Sequence, residues 1–222
     1  MTYCPICGHP VAFLIPPGDN RARAVCGDCG AIHYQNPRVI VGCVPEWQGR
    51  ILLCRRAIEP RRGYWTIPAG FLENGESLQS GAARESLEEA CTQVEIGSLL
   101  AVVNVLYAEQ VHVMFRARML GPDYGTSEES LEVGLFEEPA IPWDDIAFPS
   151  VRFALQRYLA DRNRGAEDLH FHDIEHPHPG AATIEPPQQH QAAGDEQNGG
   201  GDARATGKRG RGQLAGRAEC LI

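Results

Sequence analysis

The sequence predicts an α/β chain: a mixed β-sheet sandwiched between helices, preceded by a small four-cysteine ribbon and followed by a disordered tail. Three observations carry this. Two Cys-x-x-Cys pairs open the chain, short β-rich runs alternate with two helical patterns through its middle, and periodicity vanishes after Asn163. The expected divisions are therefore residues 1–36, 37–163 and 164–222.

The first division contains "CPICGHP" and "CGDCGAI", which supply Cys4, Cys7, Cys26 and Cys29 and place a glycine directly after each second cysteine. Eighteen residues separate Cys7 from Cys26, a spacing expected of a four-cysteine zinc ribbon. Four thiolates suit Zn²⁺ in a tetrahedron and leave no open position for water, so the metal is expected to be structural. Unmetallated thiols or redox pairs are the weaker alternative at this spacing. Between the knuckles only Arg21 and Arg23 are cationic. The ribbon is expected to pack on the main domain or to assist oligomerisation, and a homodimer is compatible with that.

In the middle division, "RVIVGCV" (38–44) and "ILLCRRA" (51–57) read as strands of a hairpin joined through "PEWQGR". "VEIGSLLAVVNVLY" reads as one or two strands, "VHVMFRARML" (111–120) alternates at period two, and "LEVGLFEE" (131–138) is a further short strand. "SVRFALQRYLADR" (150–162) has helical spacing at Val151, Leu155, Tyr158 and Leu159. Residues 164–222 carry ten glycines, five of the eight histidines and a single aromatic, Phe171. Such a composition buries too little apolar surface to order itself. The histidines of "HFHDIEHPHP" (170–179) are read as incidental, and "GKRGRG" (207–212) as at most a weak anionic contact.

The net charge of −9 and the lack of a basic stripe speak against a general nucleic-acid binder, so nucleic acid is not expected as a partner. No charged lead precedes an apolar stretch at the N-terminus, and no run approaches eighteen apolar residues. A secretory signal and a membrane span are therefore not expected, and a cytoplasmic location is.

"GFLENGESLQSGAARESLEEACT" (70–92) reads as a loop entering a helix that is N-capped by Ser77 and runs to about Cys91. Ala83, Ser86, Leu87 and Ala90 share one side; Glu85, Glu88 and Glu89 share the other, which is expected to look away from the core. Like charges at these spacings repel by about 0.2–0.5 kcal/mol per pair. Two of the three also sit in the last turn, where the helix dipole is negative. A solvated face is the ordinary explanation of such a cluster. Here Arg84 is the only nearby cation, and three carboxylates on one side match what Mg²⁺ takes alongside water and substrate phosphate.

Gly70, five residues, Glu76, seven residues, then Arg84-Glu85-Ser86-Leu87-Glu88-Glu89 resembles the Nudix box. Ser86 and Thr92 stand where an aliphatic residue is usual, and Cys91 where glycine is usual. "GYWTIPAGF" (63–71) and "HYQNPRVIVGCV" (33–44) extend the likeness, which covers about residues 1–163. With its ribbon, the chain resembles bacterial and plant pyrophosphatases acting on ADP-ribose or FAD and, more distantly, NADH pyrophosphatase. The resemblance implies hydrolysis, with Mg²⁺ or Mn²⁺, of the diphosphate in a nucleoside diphosphate linked to another moiety. The products would be a nucleoside monophosphate and a phosphorylated partner.

By the same resemblance, Glu85 and Glu89 are the principal metal ligands, Glu88 is a further or water-mediated one, and a backbone carbonyl of Ala69 or Gly70 joins them. Arg84 pairs with Glu76 to orient helix and loop. Glu129 matches the family's downstream general base best, with Glu132 second. Tyr34 and Trp65 are candidate stacking partners for a base or flavin. Arg55, Arg56 and Arg61, together with Arg62, are candidate phosphate contacts. The Ser-Gln-Pro-Trp-Pro-Phe-Pro segment of the NADH branch is absent, which favours ADP-ribose or FAD over NADH or nucleotide-capped RNA. A non-catalytic ADP-ribose-binding regulator is the reading from another class; the intact box carboxylates speak against it.

Overall fold

In the computed structural model, residues 1–176 are described. The ribbon is a three-stranded antiparallel sheet of β1 (Val11–Leu14), β2 (Arg23–Cys26) and β3 (Ile32–His33) in that order. Gly8 and Gly30 adopt φ of 78° and 72°, where a glycine avoids the Cβ penalty. Their amides return to the carbonyls of Cys4 and Cys26 at 2.8 and 3.1 Å. No ribbon residue belongs to a hydrophobic cluster among the described residues, so the cysteines stand where a larger unit would have a core.

The main sheet is built from β4 (Arg38–Trp47), β5 (Arg50–Arg56), β6 (Trp65–Thr66), β7 (Ala69–Phe71), β8 (Val94–Val105), β9 (Gln110–Met119), β10 (Ser130–Phe136) and β11 (His170–Ile174). Its order is β10-β5-β4-β9-β8-β11, with β6 on β5 and β7 on β4. Gln48 and Gly49, with φ of 50° and 80°, make the tight turn between β4 and β5, a left-handed pair suited to the twist of a hairpin. These two strands pair only at Glu46↔Ile51 and Trp47↔Arg50. Farther from the turn they part, and β7 takes the freed edge of β4 through Val41↔Gly70 and Gly42↔Ala69.

Helix α1 (Leu78–Ala90) puts Ala82 into a cluster with Val41, Cys43, Val113 and Phe115 on one face of the sheet. On the other face, α2 (Pro149–Arg164) puts Val151, Ala154, Leu155 and Leu159 against Val44, Leu100 and Met114. Because both faces are covered, both alternating sets of β9 are buried, His112, Met114 and Arg116 included. Ser77 and Ser80 form a reciprocal capping box at the start of α1, which satisfies two otherwise orphaned amides. The helix ends at Cys91 in the left-handed region, φ 47°. Ser86 is tolerated at an aliphatic position because its hydroxyl donates to Ala82 O at 3.1 Å and lies 3.2 Å from the Cys43 sulfur.

Order extends beyond the expected boundary at Asn163. Strand β11 runs parallel to β8 from His170↔Ala101 to Ile174↔Val105. The polar sequence of this strand hides it, since its anchoring is tertiary. The buried Asp161 carboxylate accepts from Arg116 and from His170, the latter at 2.9 Å. His172 stacks on Phe153 with centroids 4.6 Å apart, and Ile174 enters the core. Two of the histidines read as incidental thus hold a strand in place. The rest of the expected tail, with His178 and residues 207–212, lies outside the described residues. Among the described residues, no helix is long and apolar enough to cross a membrane.

Candidate active site

The three carboxylates of α1 do not share one environment. Glu85 and Glu89 are 7% and 5% exposed, whereas Glu88 is exposed. The expectation of an acidic face looking away from the core and open to solvent is corrected for Glu85 and Glu89, because β7 and its flanking loop cover that part of the helix. Gly70 permits the approach: a Cβ there would lie 2.4 Å from Glu85 Oε1, so a side chain at this position would force that carboxylate to shift. Glu89 accepts from the Ala69 amide at 3.1 Å. Burial pushes its carboxyl up to about 8, against the pull of that amide, and burial also raises Glu85 against the pull of Arg84.

Arg84 ties the elements together. Its Nε and Nη2 donate to the two oxygens of Glu76 at 2.7 and 3.1 Å, its Nη1 to Glu85 and Glu88 at 2.7 and 2.8 Å, and its Nη2 also to Phe71 O at 3.0 Å. The loop, β7 and α1 are therefore locked by one side chain. Charge-assisted bonds of this kind are roughly twice as strong as neutral ones.

These groups border a cleft of about 490 Å³ lined by Ala69, Gly70, Glu85, Glu88, Glu89 and Glu129 on its acidic side. Arg56 and Arg61 reach the same space. Arg56 is held below the usual arginine range by burial; its Nε donates to Pro60 O at 2.9 Å, and its guanidinium lies over Phe148. Hard carboxylate oxygens are the donor set a divalent cation takes. Glu85, Glu88 and Glu89 therefore fit one on chemical grounds.

Five expected site residues fall elsewhere, among them Arg62, which is exposed and outside the cleft lining. Trp65 is 8% exposed and packs edge-on against Phe136 at 4.9 Å within the main core, as large aromatics usually do. Tyr34 belongs to the ribbon end, is 63% exposed and lies under Arg23. Arg55 turns its guanidinium to Gly63 O at 2.9 Å and to Glu132 at 3.5 Å. That contact also removes Glu132 from the cleft, because β10 pairs Glu132 with Arg55 across the β5 edge. Conversely, Tyr107, Gln110, His112 and Phe148 line the cleft, and sequence reasoning missed them. Their only sequence signal is the period-two position of His112 on β9.

At the ribbon, the ligand atoms of Cys4, Cys7, Cys26 and Cys29 all lie within 4.8 Å of one another. The Cys4–Cys29 and Cys7–Cys26 sulfurs are 3.7 and 3.4 Å apart, and all four are free of disulfides. Zn–S bonds of about 2.3 Å in a tetrahedron require sulfur separations of about 3.8 Å, so the cluster is sized for a metal. Amides of Cys29 and Asp28 hold the Cys26 thiol down to about 6, and His33 Nε2 lies 3.3 Å from the Cys4 sulfur.

A family model described as "NUDIX domain" matches residues 36–146, and a zinc-ribbon model described as "Nudix N-terminal" matches residues 2–35. A crystal structure of a NUDIX hydrolase from Nitrosomonas europaea is 50% identical, with a TM-score of 0.77, covering 79% of this chain and 100% of that one. The NAD-capped RNA hydrolase NudC of Vibrio parahaemolyticus is 30% identical over 168 residues, 72% of this chain and 62% of that protein. NudC of Chromobacterium violaceum is 30% identical over 164 residues, 72% and 60% of the two chains. An ADP-ribose pyrophosphatase of Methanocaldococcus jannaschii is 26% identical over 49% and 67%. The chain thus spans 62% and 60% of the length of the two NudC proteins. Their names overturn the expectation that nucleic acid has no part. The negative net charge speaks against a general nucleic-acid binder, but recognition of an RNA terminus needs only a local pocket.

Proposed function

From the premise that this chain belongs to the NUDIX domain family and is a hydrolase of it, we propose that it cleaves the diphosphate of an NAD-type dinucleotide, free or as the 5′ cap of an RNA. The observation that carries this reading is the cleft itself. Carboxylates from α1 and Glu129 meet Arg56 and Arg61 around one space, which continues past them along Tyr107, Gln110 and Phe148. The NudC relatives favour the NAD-type substrate.

Glu85, Glu88 and Glu89, with a carbonyl of Ala69 or Gly70, would hold Mg²⁺ or Mn²⁺. The bound cation supplies polarisation of the diphosphate and acidification of water. Arg84 and Glu76 keep the carboxylates aimed, Arg56 and Arg61 neutralise phosphate oxygens, and Glu129 accepts the proton of the attacking water. The cysteine cluster holds Zn²⁺ as a structural ion, and the enzyme works in the cytoplasm.

A second reading, ADP-ribose or FAD, is favoured by the absence of the Ser-Gln-Pro-Trp-Pro-Phe-Pro segment before β9. A panel of NADH, NAD, NAD-capped RNA, ADP-ribose and FAD with Mg²⁺ or Mn²⁺, with products identified, separates the two. Nicotinamide mononucleotide and a 5′-monophosphate are the expected products. Turnover of ADP-ribose or FAD alone replaces the first reading with the second, and no turnover of any compound defeats both.

A further inference from the structure

Part of the cleft lining has no role in the hydrolytic chemistry. Gln110 and His112 lie there, with the apolar side chains of Ile40, Val105, Met114 and Ile174 lining the same cleft. The register sets their distance from the carboxylates: Gly70 pairs with Val41 on β4, and Ile40 on β4 pairs with His112 on β9. Two strand spacings, about 10 Å, therefore separate the β7 end of the site from His112. That leaves room for a ribose between a diphosphate and the ring it carries.

The two polar side chains bond to each other, His112 Nε2 to Gln110 Oε1 at 2.9 Å. His112 is 8% exposed, and its Nδ1 is buried without a partner among the described residues. Orphaned N–H donors are rarer in protein interiors than bare acceptors. The ring proton therefore sits on Nε2 and is donated to Gln110. Burial keeps the ring neutral by pushing it down to about 4. The Gln110 carbonyl is thus engaged, while its NH₂ group, bonded to none of the described residues, is left for a ligand.

We propose that Gln110 is a specificity-determining residue whose side-chain N–H donates to the carboxamide oxygen of a nicotinamide ring, with His112 as the positioning residue that fixes its orientation. This rests on the NAD-type reading above. A carboxamide turns about its bond to the ring, so it aims its oxygen at Gln110 and its own amine at solvent. The exocyclic amine of adenine is fixed in the ring plane and would meet the Gln110 donor, because the Gln110 carbonyl is engaged by His112. Tyr107, 39% exposed on the same cleft, offers an aromatic face to the ring.

The test is calorimetric binding of NADH and of ADP-ribose, which lacks the nicotinamide, to the full chain with Ca²⁺ in place of Mg²⁺. Gln110→Ala and Gln110→Glu are expected to weaken NADH by about tenfold or more and ADP-ribose by less than about twofold. His112→Phe should weaken NADH by roughly three- to fivefold through loss of the lock. Equal weakening of both ligands, undiminished NADH affinity in the Gln110 variants, or failure of the wild type to bind NADH overturns the proposal. Hydrolysis under Mg²⁺ is read separately: bound NADH with no turnover of NADH, NAD or NAD-capped RNA refutes the proposed reaction and leaves the binding assignment standing.

Discussion

At Gly70 the absence of a side chain is the functional property. An added methyl group would meet the Glu85 carboxylate at 2.4 Å, so Gly70→Ala is expected to lower kcat/KM by about 100-fold or more, as is Glu85→Gln, with circular dichroism unchanged for the latter. Thr92 shows the opposite case. It is buried and its hydroxyl has no partner among the described residues. Thr92→Val, which keeps the shape and removes the hydroxyl, should raise unfolding free energy by about 1 kcal/mol in urea titrations. His112 sets a pH dependence. Its value falls from 6.5 in the open chain to about 4 on burial, so the unfolded state binds the proton first and stability declines as pH falls from 6.5 through 4. The loss approaches about 3 kcal/mol, and His112→Leu should lose correspondingly less between pH 7 and 4.5.

Among the elements, α1 was legible to within a residue because its signals are local: the Ser77 cap, the periodic small residues and the spacing of its glutamates. The direction of its acidic edge was not legible, because β7 covers it through a pairing made possible only where β4 and β5 separate. Strand β11 escaped for a similar reason, its anchors being Asp161 and Phe153 on α2. Ile174→Ser removes its buried apolar contact, costing about 2–4 kcal/mol. Limited proteolysis should then cut near residues 166–174, where the wild type resists.

For the molecule as a whole, ribbon and sheet draw on different sources of stability. The four cysteines were plain in the sequence because metal spacing is written along the chain, whereas the cleft wall of Tyr107, Gln110 and His112 is assembled from register and could not be read there. Since no ribbon residue joins the hydrophobic clusters of the described residues, Cys4→Ser or Cys26→Ser should release zinc and unfold the ribbon. The main sheet should keep its own thermal transition. Metal analysis together with differential scanning calorimetry checks this, and one shared transition in the wild type would contradict it.

Arg84, bonded at once to Glu76, Glu85 and Glu88, acts as a resident counter-ion before any divalent ion arrives. Under the proposed roles this sets an order of assembly. On those roles the ribbon would need its ion in order to fold, whereas the carboxylates of α1 are already balanced by their own arginine and would take up Mg²⁺ after the helix has formed.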